Sequence, residues 1–288
     1  ARVSVEGLLN RESLEVPGSD PGANRLQMFA RNFAARPMYS GIGGPGSAKM
    51  YALQPALFSS FVGLVTPAVT TTVNVLGCAV TSVGTLSHPA VTMACGYMTN
   101  FASAASVNAT AGTGFNQAAF LRGDATGPSG GFFYSARAYL PDASYDETGA
   151  STGKRIFAGL TSGTLAAAVA SDNPAGEFCG FVRNSVNGGL VHTNWQFNTR
   201  DGATLDSVDT GLAFNPQNVY DFTIYCPRSS GTIHWRIDNV TTGAYATGST
   251  TTSMPGATTL LRPGIQVQTV NAVAINVRMQ RIYCESEA

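Results

Sequence analysis

The chain has 288 residues, 44% hydrophobic and 12% charged, with 17 basic and 17 acidic side chains and a formal net charge of zero. That is enough apolar chain for about two folded units without disulfides or metal. The charge balance removes the basic footprint expected of a nucleic-acid or anionic-membrane binder, and so little like-charge repulsion points to part of an assembly rather than a free monomer.

Residues 1–40 are richer in charge than most later segments, from Arg2 and Glu6 to Arg31 and Arg36. Within them Leu26, Phe29 and Phe33 recur at helical spacings, which predicts a short helix over residues 25–35. The Pro-Gly-Ser-Asp-Pro-Gly run at 17–22 breaks the chain before it. This composition reads as an extended N-terminal arm that docks on a neighbouring subunit.

From Gly41 onward, short apolar runs alternate with turn residues at intervals typical of all-β folds. Strands are expected within residues 61–65, 70–80, 82–86 and 91–98. The Gly-Pro-Ser-Gly-Gly stretch at 127–131 reads as the join between a small β-rich domain, 41–126, and a larger C-terminal β-sandwich domain, 127–288. After it Phe132, Tyr134, Ala136 and Ala138 alternate with Phe133, Ser135, Arg137 and Tyr139, two residue sets for two faces of one strand. Further strands are expected within 155–161, 178–183, 190–198, 220–226, 232–240 and 265–284. In the last run Val273, Ile275, Val277 and Met279 alternate and Ile282 falls out of phase, which predicts a bulge near Gln280. The expected architecture is an all-β antiparallel sandwich, with sheets packed face to face.

Cys78, Cys95, Cys179, Cys226 and Cys284 form no CxxC pair and are expected as buried free thiols, which suits assembly in a reducing cytoplasm. No apolar run reaches the roughly 18 residues of a membrane span, and residues 1–10 lack a signal pattern. No membrane insertion is expected.

The chemistry-bearing motifs are weak. Gly127 to Gly131 spells a nucleophile elbow, but a strand rather than a helix is expected after it. Gly153-Lys154-Arg155 lacks the Ser or Thr and the upstream Gly of a phosphate loop. His88, His192 and His234 share no ligand-type spacing. Alternation puts Trp235 with Ile233 and Ile237, opposite His234, Arg236 and Asp238, and puts Trp195 with Phe197. Both tryptophans are therefore expected as core anchors rather than a sugar-stacking platform. The acidic sets Asp142, Asp146, Glu147 and Asp201, Asp206, Asp209 lack the order of a calcium loop and read as loop carboxylates. Arg122-Gly123-Asp124 and the acceptor patterns at Asn108 and Asn239 carry no functional weight. No catalytic residue, cofactor or metal site is assigned, and no ligand-binding residue can be named from sequence.

Two blocks of residues carry a resemblance. One is Gly43-Gly44-Pro45-Gly46 with Leu53-Gln54-Pro55-Ala56-Leu57, Gly63 and Pro67. The other contains Tyr145-Asp146-Glu147-Thr148-Gly149, Phe157-Ala158-Gly159-Leu160-Thr161, Ser171-Asp172-Asn173-Pro174-Ala175-Gly176, Asn194-Trp195-Gln196-Phe197, Asp209-Thr210-Gly211 and Trp235-Arg236-Ile237-Asp238. With Met254-Pro255-Gly256-Ala257-Thr258-Thr259, the chain from about Gly43 to Glu285 resembles tail-fibre or related minor structural proteins of tailed bacteriophages. The resemblance implies a jelly-roll or lectin-like sandwich and a homotrimeric virion component located in the tail. It further implies host attachment, with the arm docked on another virion protein of the tail or connector and the β domains binding a host surface glycan or protein. A head fibre or capsid decoration protein would share this organisation. A polysaccharide depolymerase would need paired carboxylates across a cleft. The expectation is a non-enzyme.

Overall fold

Short runs of β-branched, aromatic and small residues separated by Gly, Pro and Asn turns cannot sustain helices, and pair instead as strands. A computed structural model describes residues 27–30, 37–40, 49–50, 56–60, 74–75, 78–80, 86–87, 98–115, 117–123, 130–147, 152–165, 173–185, 192–228 and 230–286. Among them there is no α-helix, and a single 3-10 turn spans Ala143–Asp146. The chain divides into two units, Ala1–Leu53 and Gln54–Ala288.

The first unit contains a three-stranded antiparallel sheet of β1 (Gln27–Ala30), β2 (Pro37–Ser40) and β3 (Lys49–Met50). The helix expected over 25–35 is therefore corrected: Gln27–Ala30 is strand, in register with Pro37–Ser40. An isolated helix of this length is marginal in water, whereas Met, Phe and Tyr suit a paired strand.

The second unit holds β4 (Ala56–Ser60), β5 (Asn74–Val75), β6 (Cys78–Val80), β7 (Leu86–Ser87), β8 (Thr99–Ala102), β9 (Thr110–Phe115), β10 (Phe132–Tyr139), β11 (Lys154–Thr161), β12 (Phe178–Asn184), β13 (Asn194–Arg200), β14 (Leu205–Ala213), β15 (Val219–Cys226), β16 (Ile233–Asn239), β17 (Tyr245–Thr250), β18 (Arg262–Thr269) and β19 (Asn276–Ser286). They form two antiparallel sheets. The first runs β17-β16-β15-β10-β19-β8-β7, with β4 also paired to β19, and the second runs β14-β13-β12-β11-β18-β9-β6-β5. The expected separation of 41–126 from 127–288 is corrected by this weave: β4 and β8 pair with β19, and β9 pairs with β18. A strand's own residues reveal its faces but not its partner. The predicted bulge is present, because Arg137 opposes Arg281 while Ala138 opposes Met279, which leaves Gln280 unopposed.

The inward faces of the two sheets make one core. Phe181 and Phe197 from the second sheet meet Phe222 and Trp235 from the first, with ring centroids 5.5 to 6.1 Å apart. Tyr134 is fully buried, and its hydroxyl donates to the Gly264 carbonyl across the sandwich at 3.1 Å. Cys179, Cys226 and Cys284 are buried free thiols in this core, while Cys78 and Cys95 lie outside the residues whose side chains are described.

Burial pushes the Cys226 thiol up from 9.0 to about 12 and raises the Cys179 and Cys284 thiols as well. The sign follows from linkage. The unfolded chain loses these protons first as pH rises, so the stability they confer is complete below about pH 9 and declines toward pH 12. Urea midpoints measured at pH 7, 9 and 10.5 are expected to fall at the last step, with all three thiols unlabelled by iodoacetamide in the native protein at pH 8. Labelling of Cys179 without unfolding would contradict this burial.

Candidate ligand-binding face

Alternation sends every second residue of the second sheet away from the core. On β11 Arg155 and Phe157 point outward between Ile156 and Ala158, and on β18 Gln266 and Gln268 do so beside Ile265 and Val267. On β13 Gln196 and Asn198 flank the inward Phe197. Register aligns these residues across strands: Gln196 opposes Val182, Val182 opposes Phe157, and Phe157 opposes Gln266, while Arg155 lies between Asn184 and Gln268. This side of the sheet is thus a field of buried amides around an apolar floor. Phe157, Leu165, Phe178 and Val182 form that floor as a second cluster, with Phe157 and Phe178 edge-on at 5.9 Å.

The β11–β12 connection folds back over this face. The Ser162 N–H donates to the Glu177 carbonyl at 2.8 Å, which closes the base of the connection. Asn198 Nδ2 donates to Asn173 Oδ1 at 2.8 Å, and the Ser207 hydroxyl donates to Asn198 Oδ1 at 2.7 Å. Arg155, Phe157, Asn173, Pro174, Gln266 and Gln268 line a depression of about 10 Å³, room for a single water. Gln196, Asn198, Gln266 and Gln268 are buried, at 8, 2, 4 and 1% exposure, so the polar groups that a polyol can reach here are those of the half-buried Arg155 and Asn173 at the rim of the depression. Arg155 is the one cation in this lining.

The residues singled out in the sequence are dispersed. Trp195 and Trp235 are core residues, at 0% and 3% exposure. His88 lies outside the described residues. His192 Nδ1 accepts from the Asn184 N–H at 3.2 Å, whereas His234, on the outer face of the first sheet, stacks on Tyr225 at 6.2 Å and has its pKa lowered by burial. Asp142 accepts from the Asn276 backbone N–H at 2.6 Å, and Glu147 pairs with the buried Lys154 ammonium at 3.1 Å. Asp201 accepts from the Thr204 and Ala203 N–H groups and Asp209 from that of Gly211, bonds that hold both carboxyls below their usual range. Asp206 accepts from the Thr250 hydroxyl at 3.2 Å. No group of three or more metal-type ligands occurs among the described residues. Arg122 ties its loop to the Pro255 carbonyl at 2.9 Å, and the glycine stretch at 127–131 leads into β10, a strand.

The amide field escaped the sequence reading because Gln and Asn at alternate strand positions look like ordinary solvated residues. Their register across β13, β11 and β18 gives them meaning, and pairing order is not written locally.

No protein-family model matches the chain, and neither does any curated protein. Among solved structures, a protein of unknown function from Shewanella oneidensis MR-1 is similar at a TM-score of 0.53 and 11% identity, over 80% of this chain and 85% of that one. Lectin UEA-II complexed with galactose is similar at 0.51 and 10% identity, over 81% and 99% of the two chains. Lectin II from Ulex europaeus is similar at 0.50 and 10% identity, with the same coverage. At these identities the likeness is one of fold, and the fold is the lectin-like antiparallel sandwich.

Proposed function

We propose that the chain is a structural component of a tailed-bacteriophage virion, a tail fibre whose N-terminal arm attaches it to the tail and whose lectin-like sandwich contacts a glycan of the host surface. The observation that carries the reading is the outer side of the second sheet, where the half-buried Arg155 and Asn173 rim a depression floored by the buried Gln266 and Gln268 and too small to swallow a ligand. Such a face gives weak contacts at each site, and repetition around a fibre multiplies them by effective concentration. The resemblance over residues 43–285 supplies the virion context, and buried free thiols suit assembly in the bacterial cytoplasm. Asp142, Glu147, Asp201 and Asp209 are engaged with backbone or lysine partners, which favours adhesion over glycoside cleavage.

Antibody against the chain is expected to decorate the tail in intact particles by immunogold microscopy. Label on the capsid would make it a head fibre or decoration protein, and unlabelled particles would remove the virion role. In particles that carry it, Arg155→Ala is expected to lower adsorption to host cells about tenfold, the loss of one charge-assisted hydrogen bond, with melting unchanged. Release of reducing sugar ends by the purified protein would overturn the non-enzymatic reading.

A further inference from the structure

The two sheets end on the same side of the sandwich, in β14 and β17, and their edges are finished differently. β14 carries Asp206 and Asp209 and is bulged: Asn194 opposes Ala213 while Gln196 opposes Asp209, and Gly211 has φ +73°. Charges and bulges of this kind blunt an edge against pairing. β17, Tyr-Ala-Thr-Gly-Ser-Thr, has neither charge nor proline, and its register with β16 runs without a shift from Asp238 opposite Tyr245 to Ile233 opposite Thr250.

The hydrogen-bond alternation fixes which groups face outward. The Asn239 N–H donates to the Ala244 carbonyl at 2.8 Å. Continuing that pattern along the ladder, Ala246, Gly248 and Thr250 turn their backbone groups toward β16, and Tyr245, Thr247 and Ser249 turn theirs to the open side. The side chains of these three are exposed, Tyr245 at 54%.

We propose that the β17 edge pairs antiparallel with the β17 edge of a second copy about a two-fold axis, joining the two first sheets into one. Two constraints limit the register: opposed residues must point to the same face, and outward-turned backbone groups must oppose one another. Of the registers that satisfy both, Thr247 opposite its own symmetry copy, with Tyr245 opposite Ser249, pairs all three outward-turned residues. The occupant is a second copy because an uncharged strand meets itself without repulsion, as β14 with its two aspartates does not. The central Thr–Thr pair and the small residues facing each Tyr245 ring leave the edge free to close. The contact implies an even number of copies, against the three expected from the family resemblance.

Light scattering of the purified full-length chain is expected to give a multiple of two. Thr247→Pro should halve that mass, since the Thr247 N–H points away from β16 and the ring removes no bond of the native ladder. Thr247→Cys should cross-link two copies under mild oxidation, because a hydrogen-bonded antiparallel pair sets the Cα atoms about 5.5 Å apart, within disulfide reach. Leu205→Cys, on the β14 edge, should stay uncross-linked. A monomer or trimer in the unaltered chain, a mass that Thr247→Pro leaves unchanged, or a Thr247→Cys protein that does not cross-link would each overturn the proposal.

Discussion

Replacing Trp195 with alanine is expected to lower the melting temperature by about 10 °C, and by roughly 6 to 20 °C across the plausible range. The indole is fully buried and holds the two sheets together. It comes from β13 and meets Tyr220 and Phe222 of β15 edge-on, at 5.2 and 5.1 Å, with Phe214 at 5.4 Å. Truncation removes that area and opens a cavity that a close-packed interior fills only in part, at a cost of about 3 to 5 kcal/mol. For a unit of this size each kcal/mol shifts melting by about 2 to 4 °C. Total stability of a domain is about 5 to 15 kcal/mol, so the variant should fold but with little margin. Trp195→Phe keeps the ring edge contacts and should cost less, and Leu205→Ala, at a side chain 45% exposed, should stay within about 0.5 kcal/mol of the parent. A Trp195→Ala protein that melts within about 2 °C of the parent would show that the two sheets do not depend on this ring.

The placement of Trp195 was legible because the signal is local. Period-two alternation fixed the faces of β10 and β16: Phe132, Tyr134, Ala136 and Ala138 are in the core, as are Ile233, Trp235 and Ile237, while Phe133, Arg137, His234 and Asp238 are outside it. The same reasoning located the bulge at Gln280, since a phase slip in apolar residues records an extra residue directly. β14 and β17 left no such trace. As edge strands they are half exposed, with Leu205 and Tyr245 outward among Ser, Thr, Gly and Asp, and a strand that buries little apolar surface carries little apolar pattern. At residues 25–35 two periods competed, and spacings of three and four were read where pairing with Pro37–Ser40 decides. The candidate face was the least legible part. Each amide is unremarkable in sequence, and the face exists because β18, more than a hundred residues along the chain from β11, returns beside it.

That return also requires a row without side chains, and Gly159→Val is expected to cost at least about 3 kcal/mol. Gly180, Gly159, Gly264 and Gly114 oppose one another in turn across β12, β11, β18 and β9. The row lets neighbouring backbones and the β11–β12 connection approach closely. A Cβ on Gly264 would lie 2.0 Å from Leu165 Cδ1, a contact that a flexible side chain can relieve, and 2.9 Å from the Thr113 carbonyl oxygen, where less shift is needed than at Gly159. At Gly159 the nearest atoms are backbone: the Cys179 carbonyl oxygen at 2.3 Å and Gly180 Cα at 2.5 Å. Relief there means separating β11 from β12, and so loosening the ladder that holds Phe157 beneath the amides. Overpacking usually costs about 1 to 3 kcal/mol, and a β-branched residue against backbone belongs at or beyond the upper end. Gly231 is the control, with open space at its Cβ position and no positive φ. Gly231→Ala should stabilise by about 0.4 to 1 kcal/mol through the unfolded chain. Urea unfolding separates the two cases. If Gly159→Val and Gly231→Ala shift the midpoint alike, the glycine row is not what sets the spacing of β11 and β12. A midpoint lowered for Gly159→Val, with reduced adsorption at temperatures where it remains folded, would tie the row to the face it supports.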